Sequence, residues 1–213
     1  MFDIITREIN SRKFAIQRFV SLFDYEKASC SIEILICKGL VFVQLYGVYE
    51  YTITSSVQAA LSSIGGKGLR VEHVCRELLS LVLDPYWAGA AGAGRRKLWH
   101  KRMDVIEKMQ PNALLDNVSD TIFPNDGSQY RRSQIETIWK VFGITDPIVP
   151  ELRLLGRIEE LVENRNAIAH GRITADNVGR RYTKKDIEDR IIDVFTICIH
   201  IVETIRDRYG QGL

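Results

Sequence analysis

Residues 32–64, IEILICKGLVFVQLYGVYEYTITSSVQAALSSI, decide the fold class. β-Branched and aromatic residues crowd this stretch, and such residues suit the pleated surface of a strand. Strands, however, usually end after about 5–6 residues at a turn signal. Here some 33 residues pass without a proline or a turn cluster, and Gly39 and Gly47 stand alone. A long buried helix fits that length, because a helix covered by neighbours needs no wide polar face. The run Gly65-Gly66-Lys67-Gly68 then ends it.

Helical spacing continues on both sides. Residues 1–28 form a charged amphipathic pattern, with Ile4, Ile5, Ile9, Phe14, Ile16, Phe19, Val20 and Leu22 near helical spacing. A helix is predicted from Val71 to Leu83, stopping before Asp84-Pro85 because the residue preceding a proline avoids the α region. WAGAAGAG, Trp87 to Gly94, has the composition of a flexible connector, and Lys97 to Met109 is helical again. Residues 111–129 are turn-rich, centred on Pro124-Asn125-Asp126-Gly127, and Ser128 to Phe142 is a further helix. Pro150 lies near the first turn of a helix reaching His170, whose apolar stripe is Leu152, Leu155, Ile158, Leu161, Val162 and Ile168. Thr183 and Asp186 are spaced as a capping box that opens a last helix to about Arg208. Its inward residues are Ile187, Ile191, Val194, Phe195, Cys198, Ile201, Val202 and Ile205. The expected fold is all-α, in a single domain over residues 1–213.

Composition narrows the function classes. At 46% hydrophobic and 26% charged residues the chain has the make-up of a folded protein, and its net charge of +2 implies no whole-surface attraction to nucleic acid. The N-terminus lacks a signal-peptide pattern, and polar residues such as Lys38, Gln44 and Glu50 interrupt the most apolar region. Cys30, Cys37, Cys75 and Cys198 show no CxxC spacing and read as buried free thiols. The expected setting is the cytoplasm, with no membrane contact.

Several candidate sites carry little chemistry. The glycines before Arg95 match no phosphate-loop spacing. His73 has no second ligand pair and reads as a partly buried helical histidine, and His200 lies between isoleucines as a structural residue. No cofactor and no metal is expected. Basic clustering is more informative. GRRKLWHKR, Gly94 to Arg102, places Arg95, Arg96, Lys97, Lys101 and Arg102 around Trp99, and a second cluster is Arg180, Arg181, Tyr182, Lys184 and Lys185. Cations of this kind neutralise phosphates and aromatic rings stack on unpaired bases, so both clusters are candidate RNA-binding surfaces. Solvated basic faces are the plainer alternative.

The most specific stretch is ENRNAIAHG, Glu163 to Gly171. Arg165 and His170 are five residues apart and would stand about 140° apart around an unbroken helix. Gly171 is a natural residue for ending a helix near Ala169, which would let His170 turn toward Arg165. Asn166 adds a donor and an acceptor beside them, able to bind a phosphate oxygen or to hold the arginine.

The run Arg165-Asn166-Ala167-Ile168-Ala169-His170 resembles the signature of the HEPN superfamily (higher eukaryotes and prokaryotes nucleotide-binding), an arginine four to six residues before a histidine. The helix that leads in, the short polar loop and the capped closing helix match as well. Gln44-Leu-Tyr-Gly-Val-Tyr-Glu50-Tyr resembles the early long helix of small stand-alone members, which implies that Glu50 supports Arg165. The resemblance implies a helical bundle with long early and C-terminal helices, and residues 84–150 exceed its minimal form as an inserted helical region.

Many proteins of this superfamily are metal-independent ribonucleases of toxin–antitoxin, CRISPR-associated and phage-defence systems. By that resemblance Arg165, Asn166 and His170 are catalytic. RNA supplies its own 2′-OH nucleophile, so cleavage needs in-line geometry, proton transfer and charge stabilisation. Histidine suits the proton transfer and the arginine fork suits phosphate. The reaction usually wants both an acid and a base, and the sequence offers one convincing histidine. Similar HEPN proteins pair two copies of the motif in a shared cleft, so the resemblance implies a homodimer with a composite site. The first reading is therefore an endoribonuclease acting on single-stranded RNA, with an antitoxin protein as a further partner if it is a toxin. The alternatives are a non-catalytic RNA- or nucleotide-binding module and a helical protein-interaction domain.

Overall fold

A computed structural model describes residues 1–21, 31–115 and 129–210 of the protein. Among these residues the fold is all-α, with no strand and a single isolated bridge between Arg70 and Leu114. Helix α1 is Phe2–Ser21 and α2 is Ile32–Gly65, 34 residues in one piece. Ser31 starts α2 by accepting from the Ile34 amide at 3.3 Å, and the Gly66 amide closes it on the Ser62 carbonyl. At 100° per residue, the buried positions of α2 cover more than half of its circumference. The expected long buried helix is present.

The other helices arrange themselves around it. Short α3 (Leu79–Val82), α4 (Asp84–Ala91) and α5 (Leu98–Lys108) follow, then α6 (Arg132–Val141), α7 (Leu155–Ala169), α8 (Ala175–Gly179) and α9 (Lys184–Tyr209). Helices α1, α7, α8 and α9 all pack on α2. One apolar core runs from Phe2 in α1 to Tyr209 in α9, taking in Tyr49, Ile53, Ile135, Phe142, Leu161 and Ile201. Burial also pushes the Cys198 thiol up to about 12, so it serves as a packing group.

Two contacts fix the packing. Gly39 of α2 and Gly179 of α8 face backbone: an added Cβ would lie 2.1 Å from the Ala175 oxygen and 1.9 Å from the Leu35 oxygen respectively. The closing helix begins with the expected capping box, the Asp186 amide donating to Thr183 Oγ1 at 3.1 Å and the Thr183 amide to Asp186 Oδ2 at 2.8 Å.

Several expectations need correction. Residues 71–83 are two 3-10 turns, Val71–His73 and Arg76–Leu78, followed by α3, because the segment is tied to residues 111–115. There the exposed His73 ring accepts from the Arg70 amide at 3.1 Å and is not a helical, partly buried residue. Trp87 belongs to α4, not to a connector; Pro85 sits in the first helical turn, where no amide hydrogen is needed, and alanines favour the rest. Leu152, in a 3-10 turn before α7, is 83% exposed, and Ile4 and Phe14 also lie outside the core. Contrary to the sequence expectation, α2 is long and apolar enough to cross a membrane; more than half of its most apolar window is buried inside the protein. Within residues 84–150 the α4–α5 hairpin stands outside the main core except at Tyr86, whereas α6 contributes Ile135, Ile138 and Trp139 to it. Leu22, Cys30, the Pro124–Gly127 turn and Ser128 lie outside the described residues. His200, read as structural, has Nε2 2.7 Å from the Pro147 carbonyl.

The two lone glycines of α2 make opposite tests. Gly39→Ala places a Cβ against a carbonyl that cannot yield, and should cost at least about 2 kcal/mol. At Gly47 an added Cβ meets nothing within 4 Å, so Gly47→Ala should gain roughly 0.5–1 kcal/mol from helix propensity. Urea midpoints of the two variants against wild type check both signs.

Candidate functional site

Helix α7 holds the arginine and the histidine at its C-terminal end. Its last turn closes normally: the His170 amide donates to the Asn166 carbonyl at 3.0 Å and the Gly171 amide to the Ile168 carbonyl at 3.0 Å. Gly171 then takes φ +67°, a conformation that favours glycine, and the chain turns into α8. The helix thus ends at Ala169 as expected, and the His170 amide keeps its helical hydrogen bond. The reversal comes one residue later. Among the described residues no hydrogen bond joins Arg165 to His170, and the His170 side chain is exposed.

Arg165 is half-buried and held from two sides. Its guanidinium lies 4.5 Å above the Tyr46 ring of α2, and Nη1 donates to Asn166 Oδ1 at 2.9 Å. Asn166 itself is only 2% exposed, and its amide nitrogen donates to the Gln129 side chain. Of the two roles open to Asn166, holding the arginine is the one seen.

Tyr46 is fixed in turn by residues 129–131. The Tyr130 backbone bonds the Tyr46 hydroxyl, and the Tyr130 carbonyl accepts from Tyr49 at 3.0 Å. Burial first, and then the Glu50 carboxylate, pushes the Tyr46 phenol up, so the ring under Arg165 stays neutral. Glu50 is half-buried one turn beyond Tyr46 but makes no ion pair with Arg165 among the described residues. The direct support that was expected from Glu50 comes instead from Tyr46 and Asn166.

The surrounding arginines contrast with Arg165. Arg131 meets Glu159 at 2.8 Å and Glu163 at 3.3 Å, and Arg172 meets Glu163 at 3.0 Å. Arg153 and Arg157 converge on buried Asp193 at 2.7 and 2.9 Å, and Arg190 meets Glu160 at 3.1 Å. Arg165 alone in this group ends on no carboxylate among the described residues. A held guanidinium without a carboxylate has the chemistry to accept an external anion.

The two basic clusters differ. Arg95, Arg96, Lys97, Trp99, Lys101 and Arg102 are all exposed, at the start and on the surface of α5. In the second cluster Arg180, Arg181, Lys184 and Lys185 are exposed, but Tyr182 is not a free stacking surface. Its ring packs on Phe42 at 4.7 Å with the Arg190 guanidinium at 5.2 Å; its hydroxyl accepts from Asn164 and donates to Glu160. Tyr182 links α2, α7 and α9. Sequence reasoning missed Tyr46 and Gln129 as parts of the site. The aromatic run beside Glu50 was a signal for the first; nothing in the sequence pointed to Gln129.

Glu163 gives a pH test of the ion pairs it makes with Arg131 and Arg172. Hydrogen bonds from Arg131, and next from Arg172, hold its carboxyl below the usual carboxylate range. A lowered folded pKa means stability that is present above the unfolded pKa and is lost as pH falls through the folded one. Melting temperature should therefore fall less steeply with acid in Glu163→Gln than in wild type, and a comparison of the two from pH 6 down to the acid transition reads the difference.

A comparison of whole sequences finds a matching family. A family model described as HEPN_MAE_28990:/-like HEPN matches residues 1–211, from α1 through α9. No curated protein and no solved structure matches the chain. A match over nearly the full length, on an all-helical bundle, places the chain in the HEPN_MAE_28990-like family of HEPN proteins.

Proposed function

We propose that the protein is a metal-independent endoribonuclease that cuts single-stranded RNA in a cleft shared by two copies of the chain. Membership of a HEPN family supports the coarser statement, a nucleotide-binding or ribonuclease-like module. The observation that carries the finer one is Arg165: a half-buried guanidinium, held by Tyr46 and Asn166, with its charge left for an anion. A scissile phosphate is such an anion.

In this reading Arg165 binds the non-bridging oxygens and stabilises the charge that grows on them in the transition state. The ribose 2′-OH attacks phosphorus as the bond to the 5′ oxygen breaks, leaving a 2′,3′-cyclic phosphate and a 5′-OH. One histidine accepts the 2′-OH proton and a second delivers a proton to the leaving oxygen. Within one chain His170 stands about 140° around α7 from Arg165, so a second copy is the natural source of the missing group. His170 of the partner subunit then complements His170 of the first. The exposed ends of α7 are the faces that would meet. A toxin or defence effector in the cytoplasm, restrained by an antitoxin protein, is the role that such an activity fits.

Arg165→Ala and His170→Ala should each lower RNA cleavage about a hundredfold to ten-thousandfold. Melting temperature should stay close to wild type, since neither side chain belongs to the apolar core. Tyr46→Leu should weaken cleavage less than Arg165→Ala, because the ring positions the cation without touching phosphate. Cleavage should persist in EDTA and fail on RNA carrying a single 2′-deoxy residue at the cut site. Gel assays with the wild type and these variants check each outcome. A wild type that binds RNA and never cuts it would replace this reading with a non-catalytic binding module.

A further inference from the structure

The α4–α5 hairpin is an unusual part of the surface. It lies outside the main core, its own Ala90 and Val105 being buried apart from it. Residues 84–109 contain six Lys/Arg and three Asp/Glu, a net charge of +3 in a chain of net +2, so the remainder of the protein sums to −1. The net positive charge of the protein therefore comes from this segment, although Arg180, Arg181, Lys184 and Lys185 form a second exposed basic cluster. Arg95, Arg96 and Lys97, leading into α5, have no acidic partner among the described residues, although Lys101 is paired with Asp104 at 3.0 Å.

The same hairpin exposes apolar surface. Trp99, Met103 and Ile106 are spaced i, i+4 and i+7 on one face of α5, and they are 71%, 55% and 50% exposed. An amphipathic helix would normally carry polar residues on such a face. Trp87 of α4, 46% exposed, borders a cleft of about 430 Å³ with Ala90, Ala91, Arg102, Val105 and Ile106. Clefts that hold small ligands run from about 300 to 1,000 Å³. The Arg102 guanidinium lies 5.0 Å from the Trp99 ring, so a cation stands between the exposed ring and the mouth of the cleft.

We infer that the α4–α5 hairpin is a binding site for single-stranded nucleic acid, separate from Arg165 and His170. One base enters the cleft against Trp87, a neighbour stacks on Trp99, and Arg95, Arg96, Lys97 and Arg102 neutralise the phosphates along the strand. Charge decides for this occupant over a protein. Protein interfaces also favour Trp, Met and Arg, but their centres are depleted of charge, whereas here unpaired cations lead directly into the tryptophan. Stacking with a cationic track is how strands are held without regard to sequence. The inference rests on the nucleic-acid reading of this family but not on catalysis, because no group of the cleavage site takes part.

The test uses a labelled 2′-O-methyl oligoribonucleotide of about 12 residues, within the site size of single-strand binders and uncuttable because its nucleophile is blocked. Binding by the full-length protein is measured by anisotropy across a salt series, with circular dichroism and melting curves confirming each fold. Trp99→Ala and Trp87→Ala should each weaken binding about fivefold to a hundredfold. The triple variant Arg95→Ala, Arg96→Ala, Lys97→Ala should lower the salt slope by about 2, at roughly 0.7 per phosphate contact. Wild-type affinity and slope in the hairpin variants would overturn the inference, as would no binding by the wild type at about 50 mM salt. Hairpin variants that change only the sedimentation of the protein would assign the surface to a protein contact and overturn it too. A wild type that binds through the hairpin but cuts no RNA would sustain the inference and defeat the nuclease reading alone.

Discussion

Everything in this structure depends on covering α2. A 34-residue helix with buried residues around more than half of its circumference cannot stand in water alone. Helices α1, α7, α8 and α9 exist as packed elements because they cover it. The closest approach is set by the absence of side chains at Gly39 and Gly179, which brings α8 against α2 backbone to backbone. That crossing lies seven residues, or about 10 Å of helix rise, before Tyr46. The element that organises the core is therefore also the floor of the candidate site.

Charge around α7 is arranged with one exception. Glu159, Glu160, Glu163 and Asp193 take up Arg131, Arg153, Arg157, Arg172 and Arg190 in pairs that tie α6, α7 and α9 together. The exposed pairs, those of Glu159 and Glu163, contribute little individually, about 0–1 kcal/mol, whereas Asp193 is buried and would be left as an uncompensated charge without Arg153 and Arg157. Arg165 is left out. Its partners are a neutral ring and an amide oxygen, which orient a cation without cancelling it. A guanidinium so placed keeps its charge and its orientation, which is the preorganisation that the proposed cleavage would require.

Much of this was legible in the sequence, for physical reasons. The length of residues 32–64 without a turn signal outweighed their strand-like composition, and the Thr183–Asp186 capping box marked the start of α9 to the residue. The fold class followed from the helical spacing and from the setting of the motif. What was not legible depends on contacts between distant segments. Residues 71–83 look helical by composition but are held as 3-10 turns by residues 111–115. Tyr182 looks like a stacking ring until Phe42, Asn164 and Glu160 engage it. Glu50 seemed the natural support for Arg165, yet Tyr46, one turn earlier on the same helix, takes that place. Helical periodicity gives the face of a residue; it does not say which neighbour reaches it first.

The central claim is that cleavage needs His170 from two copies of the chain. Co-folding wild type with His170→Ala at varied ratios, with subunit mixing verified by mass spectrometry, tests it most directly. If the site is composite, activity should fall as the square of the wild-type fraction, because a mixed dimer lacks either the acid or the base. Activity that falls in simple proportion to the wild-type fraction would mean that each copy works alone, and would contradict the claim.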